Sequence, residues 1–247
     1  MIHYHGTPIT DATAAAAALQ ARHAFISFSS PEQLPLCAEI CQSFALDSGA
    51  FTAWRGGNEV NVDNYYAWVK ESALYPNFDF AVIPDVIEGS EEKNDELIEA
   101  WPFLYAGAPV WHLHESLERL ERLVQVWPRV CLGSSGAYAV IGNAAWWQRM
   151  AEAMRVCCDE LGRPQTRLHG LRMLNPEVFK YLPLSSADSC NIGRNIGLDQ
   201  NWTGPYAPSM KSARAQIIRD RIEANNSPSR FSHPPAQETL LETTDVR

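Results

Sequence analysis

No run of apolar residues in this sequence reaches the roughly 20 needed to cross a bilayer, so no membrane-spanning helix is predicted. The segment Met1–Thr10 lacks both a basic stretch and an apolar core, which predicts no secretory signal. The six cysteines (Cys37, Cys41, Cys131, Cys157, Cys158 and Cys190) include no Cys-x-x-Cys pair. That spacing removes the usual zinc patterns, and no metal or other cofactor is expected. Without a signal, the expectation is a cytoplasmic chain with reduced thiols. No Gly-rich turn follows either of the first two strand-like runs, which disfavours an open nucleotide-binding sheet. Basic residues are few: 20 Lys and Arg stand against 29 Asp and Glu, a formal net charge of −9. Such a balance argues against broad, sequence-blind binding to polyanions, which needs cations to displace counterions. Lys211, Arg214, Arg219, Arg221 and Arg230 form a local exception, either a solvated helix face or a phosphate track.

What is present is an alternation. Short apolar runs predict strands at Ile2–Gly6, Ala24–Ser29, Phe44–Phe51, Asp79–Val86, Pro109–His114, Arg129–Gly133, Arg167–Gly170 and Ser186–Ile192. Amphipathic or capped segments between them predict helices. Asp11, Ser90, Ser116 and Asn143 are candidate caps, and Gly162 with Pro164 marks a stop near Leu161. Eight strands alternating with helices in 247 residues suit one (β/α)8 barrel, a TIM barrel of roughly 250 residues. The sequence thus divides into a single catalytic barrel domain over residues 1–224 and a polar, loose tail over 225–247.

A barrel of this kind carries its chemistry at the C-terminal ends of its strands. Those ends hold His5, Ser29, Asp47, Asp85, His112 with His114, Gly133–Ser134–Ser135–Gly136, His169–Gly170 and Asp188. Three aspartates inside otherwise apolar runs, in FALDSGAF, FAVIPDVI and SSADSCNI, demand an explanation. A buried carboxylate is costly unless it is hydrogen-bonded or used. Structural readings compete for each: Asp47 as a turn cap, Asp85 as a loop closure, and the histidines as satisfied core residues. Paired carboxylates without a metal or phosphate loop point to glycosyl transfer, where one attacks the anomeric carbon and another handles the leaving group's proton. A nucleobase leaving group would need an acceptor for its N–H edge and flat walls for stacking. Asp85 suits the first need, and Phe51 with His169 the second.

These motifs resemble a known family. DSGAF at Asp47–Phe51 is similar to the DSGG(Y/F) motif of the tRNA-guanine transglycosylases. Leu132–Gly133 resembles their Gly-rich guanine-contacting turn, His169–Gly170 their next pocket-lining turn, and SADS at Ser186–Ser189 the segment of their nucleophile. With HGTP at His5–Pro8 and IPDV at Ile83–Val86, the closer likeness is to the short DpdA-type deazapurine DNA-modification proteins of phages and bacterial genomic islands. The resemblance covers residues 1–210 or so. It implies a DNA-guanine transglycosylase that exchanges guanine for a 7-substituted 7-deazaguanine, a free base acting as co-substrate. In that scheme Asp188 is the nucleophile and Asp47 assists proton movement; Asp85, Gly133 and Ser134 contact the base, and Phe51 stacks on it. His114 stands where the tRNA enzymes use a glutamine, as a candidate donor to the base carbonyl.

The departures shape the expectation. The zinc-binding extension of the tRNA enzymes is missing and the turn reads GSSG, so DNA is the expected partner rather than tRNA. The acidic balance suggests an accessory DNA-handling protein. A nucleoside or glycoside hydrolase, base exchange on RNA, and a non-enzymatic nucleic-acid-binding barrel are the competing readings.

Overall fold

The computed structural model describes residues 1–197 and 208–231. Nine parallel strands run in the order β5-β4-β3-β2-β1-β9-β8-β7-β6. They are β1 (Ile2–Gly6), β2 (His23–Ser27), β3 (Ser43–Asp47), β4 (Phe78–Val82), β5 (Gly107–Ala108), β6 (Val110–His112), β7 (Arg129–Gly133), β8 (Arg167–Gly170) and β9 (Ser186–Ser189). Of the two edges of this order, β6 lies within the predicted strand Pro109–His114, whereas β5 precedes it and is separated from β6 by Pro109, which has no N–H to give to a ladder. The Ala108 carbonyl accepts from Ile83 N at 3.0 Å and the Pro109 carbonyl from Cys131 N at 2.8 Å. The sheet therefore meets itself through the continuous chain 107–112. With helices between the strands, the chain is a single-domain (β/α)8 barrel of the TIM type.

Side chains alternate across each strand and so divide into two cores. Tyr4, Phe25, Ala45, Phe80, Val82, Ala108, Val110 and Cys131 point inward and fill the barrel. Their neighbours, among them Ile26, Leu46, Trp111, Leu132 and Leu168, point outward beneath the helices. His5 belongs to the outward set: its Nε2 pairs with Glu223 at 2.9 Å, away from the rim where the sequence had it. The irregular register between β3 and β4 lies at Asp79–Phe80. At the base of the barrel, the Tyr4 hydroxyl donates to Asp79. Arg129 pairs with the same carboxylate at 3.1 Å while lying over the Phe80 ring.

Helix starts follow the sequence closely, because short polar side chains satisfy the free N–H groups of a first turn. Asp11 accepts from Ala14 N in α1 (Ala12–Leu19), Ser90 from Lys93 N in α5 (Glu91–Glu99), Ser116 from Arg119 N in α6 (Leu117–Val126), and Asn143 from Trp146 N in α7 (Ala144–Cys157). Helix α2 (Leu34–Ile40) follows a 3-10 turn at Pro31–Gln33, and α8 (Pro176–Phe179) precedes β9. Two boundaries differ from expectation. Helix α7 stops at Cys157 rather than near Leu161, since the Asp159 carboxylate takes the N–H groups of Leu161 and Arg163 into a turn. The run predicted as strand to Phe51 ends at Asp47 and turns, through Gly49 at φ 77°, into a short helix α3 (Ala50–Arg55), ahead of α4 (Val62–Ser72).

The basic stretch after Pro208 is structural where its partners are visible. In α10 (Lys211–Glu223), Arg214 is buried and donates to the carbonyls of Ile196, Pro208 and Ser209. Arg219 pairs with Asp220 and reaches the Ala17 carbonyl. Of the expected tail, residues 225–231 lie against the barrel: the Asn225 carbonyl bonds His3, and Phe231 N donates to the Gly162 carbonyl. Residues 232–247 lie outside the described residues. No helix among the described residues is long and apolar enough to cross a membrane.

One polar cluster stands inside this frame. Glu115 is buried, and its Oε2 accepts from Arg119 at 2.7 Å and from His112 N at 2.8 Å. Its Oε1 accepts from Asn94 at 2.9 Å, and Asn94 in turn accepts from Val86 N at 2.7 Å. The cluster ties the loop after β4 to the end of β6. Removing one member of a buried pair strands the other's charge. Glu115→Ala is expected to lower the unfolding free energy by about 3–5 kcal/mol, read from urea denaturation, with Glu115→Gln recovering part of the loss.

Candidate active site

A cavity of about 760 Å³ opens at the C-terminal ends of the strands, in the range typical of small-molecule sites. Because strand residues alternate, the inward position at the end of six strands faces it: Gly6 on β1, Ser27 on β2, Asp47 on β3, His112 on β6, Gly133 on β7 and Asp188 on β9. The loop after β4 adds Asp85, and α3 adds Phe51. Ser134 lines it beside Gly133. Six of the eight site residues drawn from the sequence thus share one cavity, namely Asp47, Phe51, Asp85, Gly133, Ser134 and Asp188.

The other two lie elsewhere. His114 is exposed, outside the cavity wall, and its Nδ1 bonds Ser135 at 2.8 Å. Strand alternation accounts for this: β6 ends at His112, and the chain turns before His114. His112 takes the inward place and bonds Asp85 Oδ2 through Nε2 at 2.8 Å. His169 is fully buried one layer below the cavity floor, stacked on Phe25 with ring centroids 5.2 Å apart. Its Nδ1 bonds Ser186 at 2.8 Å, and its Nε2 lies 3.4 Å from Asp188 Oδ1. His169 therefore faces the carboxylate from beneath instead of walling the pocket. Burial lowers its pKa and favours a neutral ring, against the Asp188 carboxylate, which favours the charged one.

Each aspartate is held differently. Asp47 Oδ2 accepts from Ser27 at 2.9 Å and from Gly49 N at 3.2 Å. Burial pushes its carboxyl up to about 7; the charges of Asp188 and Asp85 add to the rise, and the two hydrogen bonds oppose it. Asp188 Oδ1 accepts from Arg172 N at 2.9 Å. Asp85 accepts from His112 at Oδ2 and has no protein donor at Oδ1 among the described residues. The glycine at 133 follows from that pairing: a Cβ there would stand 2.7 Å from His112 Nδ1. Among the described residues no three His, Cys, Asp or Glu side chains converge closely enough to hold a metal ion.

Arg172 is the contributor that the sequence did not single out. Its backbone sits at φ 60°, a conformation that side chains other than glycine rarely adopt. This aims its N–H at Asp188 while its guanidinium donates to the Ser134 carbonyl at 2.5 Å and lies 4.5 Å from the Phe51 ring centre. Only its place in the loop after β8 pointed that way. Cys190, Asn191 and Arg194, around the short helix α9 (Asn191–Asn195), also border the cavity and follow Asp188 directly in the sequence.

The raised Asp47 carboxyl carries a sign. The folded chain holds that proton more tightly than the unfolded chain, where the group titrates near 3.8, so stability from this group is lost as pH rises from about 4 to 7. Asp47→Asn is expected to remove that slope and to be more stable than the parent at pH 8, measured by urea denaturation across the pH range. An unchanged slope would place the carboxyl at an ordinary value. No protein-family model, curated protein or solved structure matches this chain.

Proposed function

We propose that this chain is a guanine transglycosylase acting on DNA, exchanging guanine for a 7-substituted 7-deazaguanine. The observation that carries the reading is the gathering of Asp47, Asp85 and Asp188 on one cavity, with Asp47 poised to hold a proton near neutral pH. One carboxylate that attacks and another that gives and takes a proton are the two groups that displacement at an anomeric carbon requires.

In this scheme Asp188 attacks C1′ of the target nucleoside. The new C1′–O bond forms as the C1′–N9 bond breaks, and its electron pair leaves with guanine. Protonated Asp47 supplies the proton the departing base takes up. The entering base then gives its N9 proton to the Asp47 carboxylate, C1′–N9 forms, and the Asp188 ester bond breaks. Proton and electron pair both balance over the cycle. Negative charge from the carboxylates stabilises the oxocarbenium-like transition state. Asp85 keeps Oδ1 for the N1 and amino edge of the base, with His112 fixing its orientation. Arg172 lies over Phe51, so a base that stacks on that face displaces the guanidinium. No metal or organic cofactor enters the scheme, and the free deazaguanine is the second substrate.

The test is mass spectrometry of nucleosides from single- and double-stranded DNA incubated with the chain and a panel of 7-deazaguanines. The wild type is expected to yield a new deazaguanosine and an acid-stable protein–DNA adduct. Asp188→Ala is expected to yield neither, and Asp47→Asn to slow exchange by about 10²–10⁴-fold. Release of guanine without incorporation would make the chain a hydrolase. Absence of exchange and of adduct on both forms of DNA would overturn the proposal. Activity restored only by a second protein would reveal the accessory DNA-handling partner.

A further inference from the structure

Three residues along α3 from the cavity wall, Trp54 stands 43 % exposed. Among the described residues it is the one tryptophan so placed: Trp101, Trp111 and Trp146 are buried, and Trp68, Trp127 and Trp147 half-buried. An exposed aromatic on its own is unremarkable. This one continues a series. The Trp54 and Phe51 ring centres are 5.8 Å apart with planes inclined by 38°, and Phe51 in turn lies 4.5 Å from the Arg172 guanidinium. Planar groups therefore run from solvent, through Trp54 and Phe51, to the Ser134 carbonyl that Arg172 bonds inside the cavity.

Charge accompanies the series. The Arg55 guanidinium lies 6.0 Å from the Phe51 ring centre, and Arg194 borders the same cavity. Neither has a carboxylate partner among the described residues. In a chain with a formal net charge of −9, a polyanion is held only where such cations stand. An aromatic face beside an arginine is the combination that holds single-stranded nucleic acid, because every base has a face to stack and every link a phosphate.

We propose that Trp54 and Arg55 form an outer nucleotide subsite: Trp54 stacks on the base next to the one held in the cavity, and Arg55 takes the phosphate between them. The proposal rests on the reading of the cavity as a nucleobase site and extends it to the strand that delivers the base. The ligand class is single-stranded nucleic acid, or the strand on one side of a nucleotide turned out of a duplex. The i, i+3 spacing of Phe51 and Trp54 puts both rings on one side of α3, so the two bases would enter from the same direction.

The test uses the full chain with Asp188→Ala to prevent turnover, and a labelled single strand of about 12 nucleotides, within the span of single-strand sites. Binding is read by fluorescence anisotropy at several salt concentrations. Trp54→Ala is expected to weaken binding about tenfold, Trp54→Phe to restore most of it, and Arg55→Gln to reduce the slope of log affinity against log salt by about one. Deoxyguanosine monophosphate lacks the neighbouring base, so Trp54→Ala and Trp54→Phe are expected to bind it as the parent does. DNA and RNA strands run side by side identify the source, and a loss on either supports the subsite. Equal affinity of parent and Trp54→Ala for the strand would overturn it while leaving base exchange intact. Equal weakening for strand and mononucleotide would also overturn it, as damage to the cavity itself. A parent chain that binds neither strand overturns the subsite, whereas the exchange reading stands or falls on the adduct at Asp188.

Discussion

Closing a parallel sheet on itself forces every second residue of each strand into one narrow interior. Nearly everything at the candidate site follows from that constraint. Tyr4, Phe25, Phe80 and Cys131 fill the lower layers, and one inward position per strand is left at the top. There the chain places Asp47, His112, Gly133 and Asp188, with Asp85 one loop beyond. Their convergence needs no special local device. Asp47 lies two residues above Ala45, His112 above Val110 and Gly133 above Cys131, each of which packs the interior.

Bringing carboxylates together has an electrostatic cost, and the barrel distributes it unequally. Asp85 leans on His112, and Asp188 on the Arg172 amide with His169 below. Asp47 has only a hydroxyl and one backbone N–H, so burial and its neighbours push its proton affinity up. Unequal support separates the groups into one that holds a proton near neutrality and others that accept fixed donors. Pairs of titratable groups driven apart by their surroundings are the usual basis for assigning acid and base roles. Arg172 couples two of these supports, since the same residue steadies Asp188 through its backbone and covers Phe51 with its side chain.

Much of this was legible in the sequence, for physical reasons. Buried parallel strands are short apolar runs, so β1, β7 and β8 match their predicted bounds. An aspartate within such a run stands out against its neighbours. Side-chain caps made the starts of α1, α5, α6 and α7 readable. What escaped was decided by three-dimensional turns. Phe44–Phe51 is apolar on both sides of Asp47–Ser48–Gly49, and its pattern does not decide between a continuing strand and the turn in which the Asp47 carboxylate takes the Gly49 N–H and a helix begins. His112 and His114 look equivalent by alternation until the strand is known to end between them. The split at Pro109 was present as a proline, yet its meaning depends on strands that meet on either side. Arg172 owes its role to a backbone angle, which no pattern of residue types encodes.

The division at Pro109 makes the molecule two half-barrels joined along a seam. One half, β1 to β5, brings Asp47 and Asp85; the other, β6 to β9, brings His112, Gly133 and Asp188. Neither holds all three of the cavity's aspartates. Above Ala108 the seam is closed by side chains instead of a backbone ladder, through Asp85 to His112 and through Val86, Asn94 and Glu115 to β6. Completion of the cavity and closure of the seam are consequently one event: Asp47 and Asp188 keep their donors within their own halves, whereas Asp85 gains His112 only when the halves join and the Glu115 cluster closes over the seam.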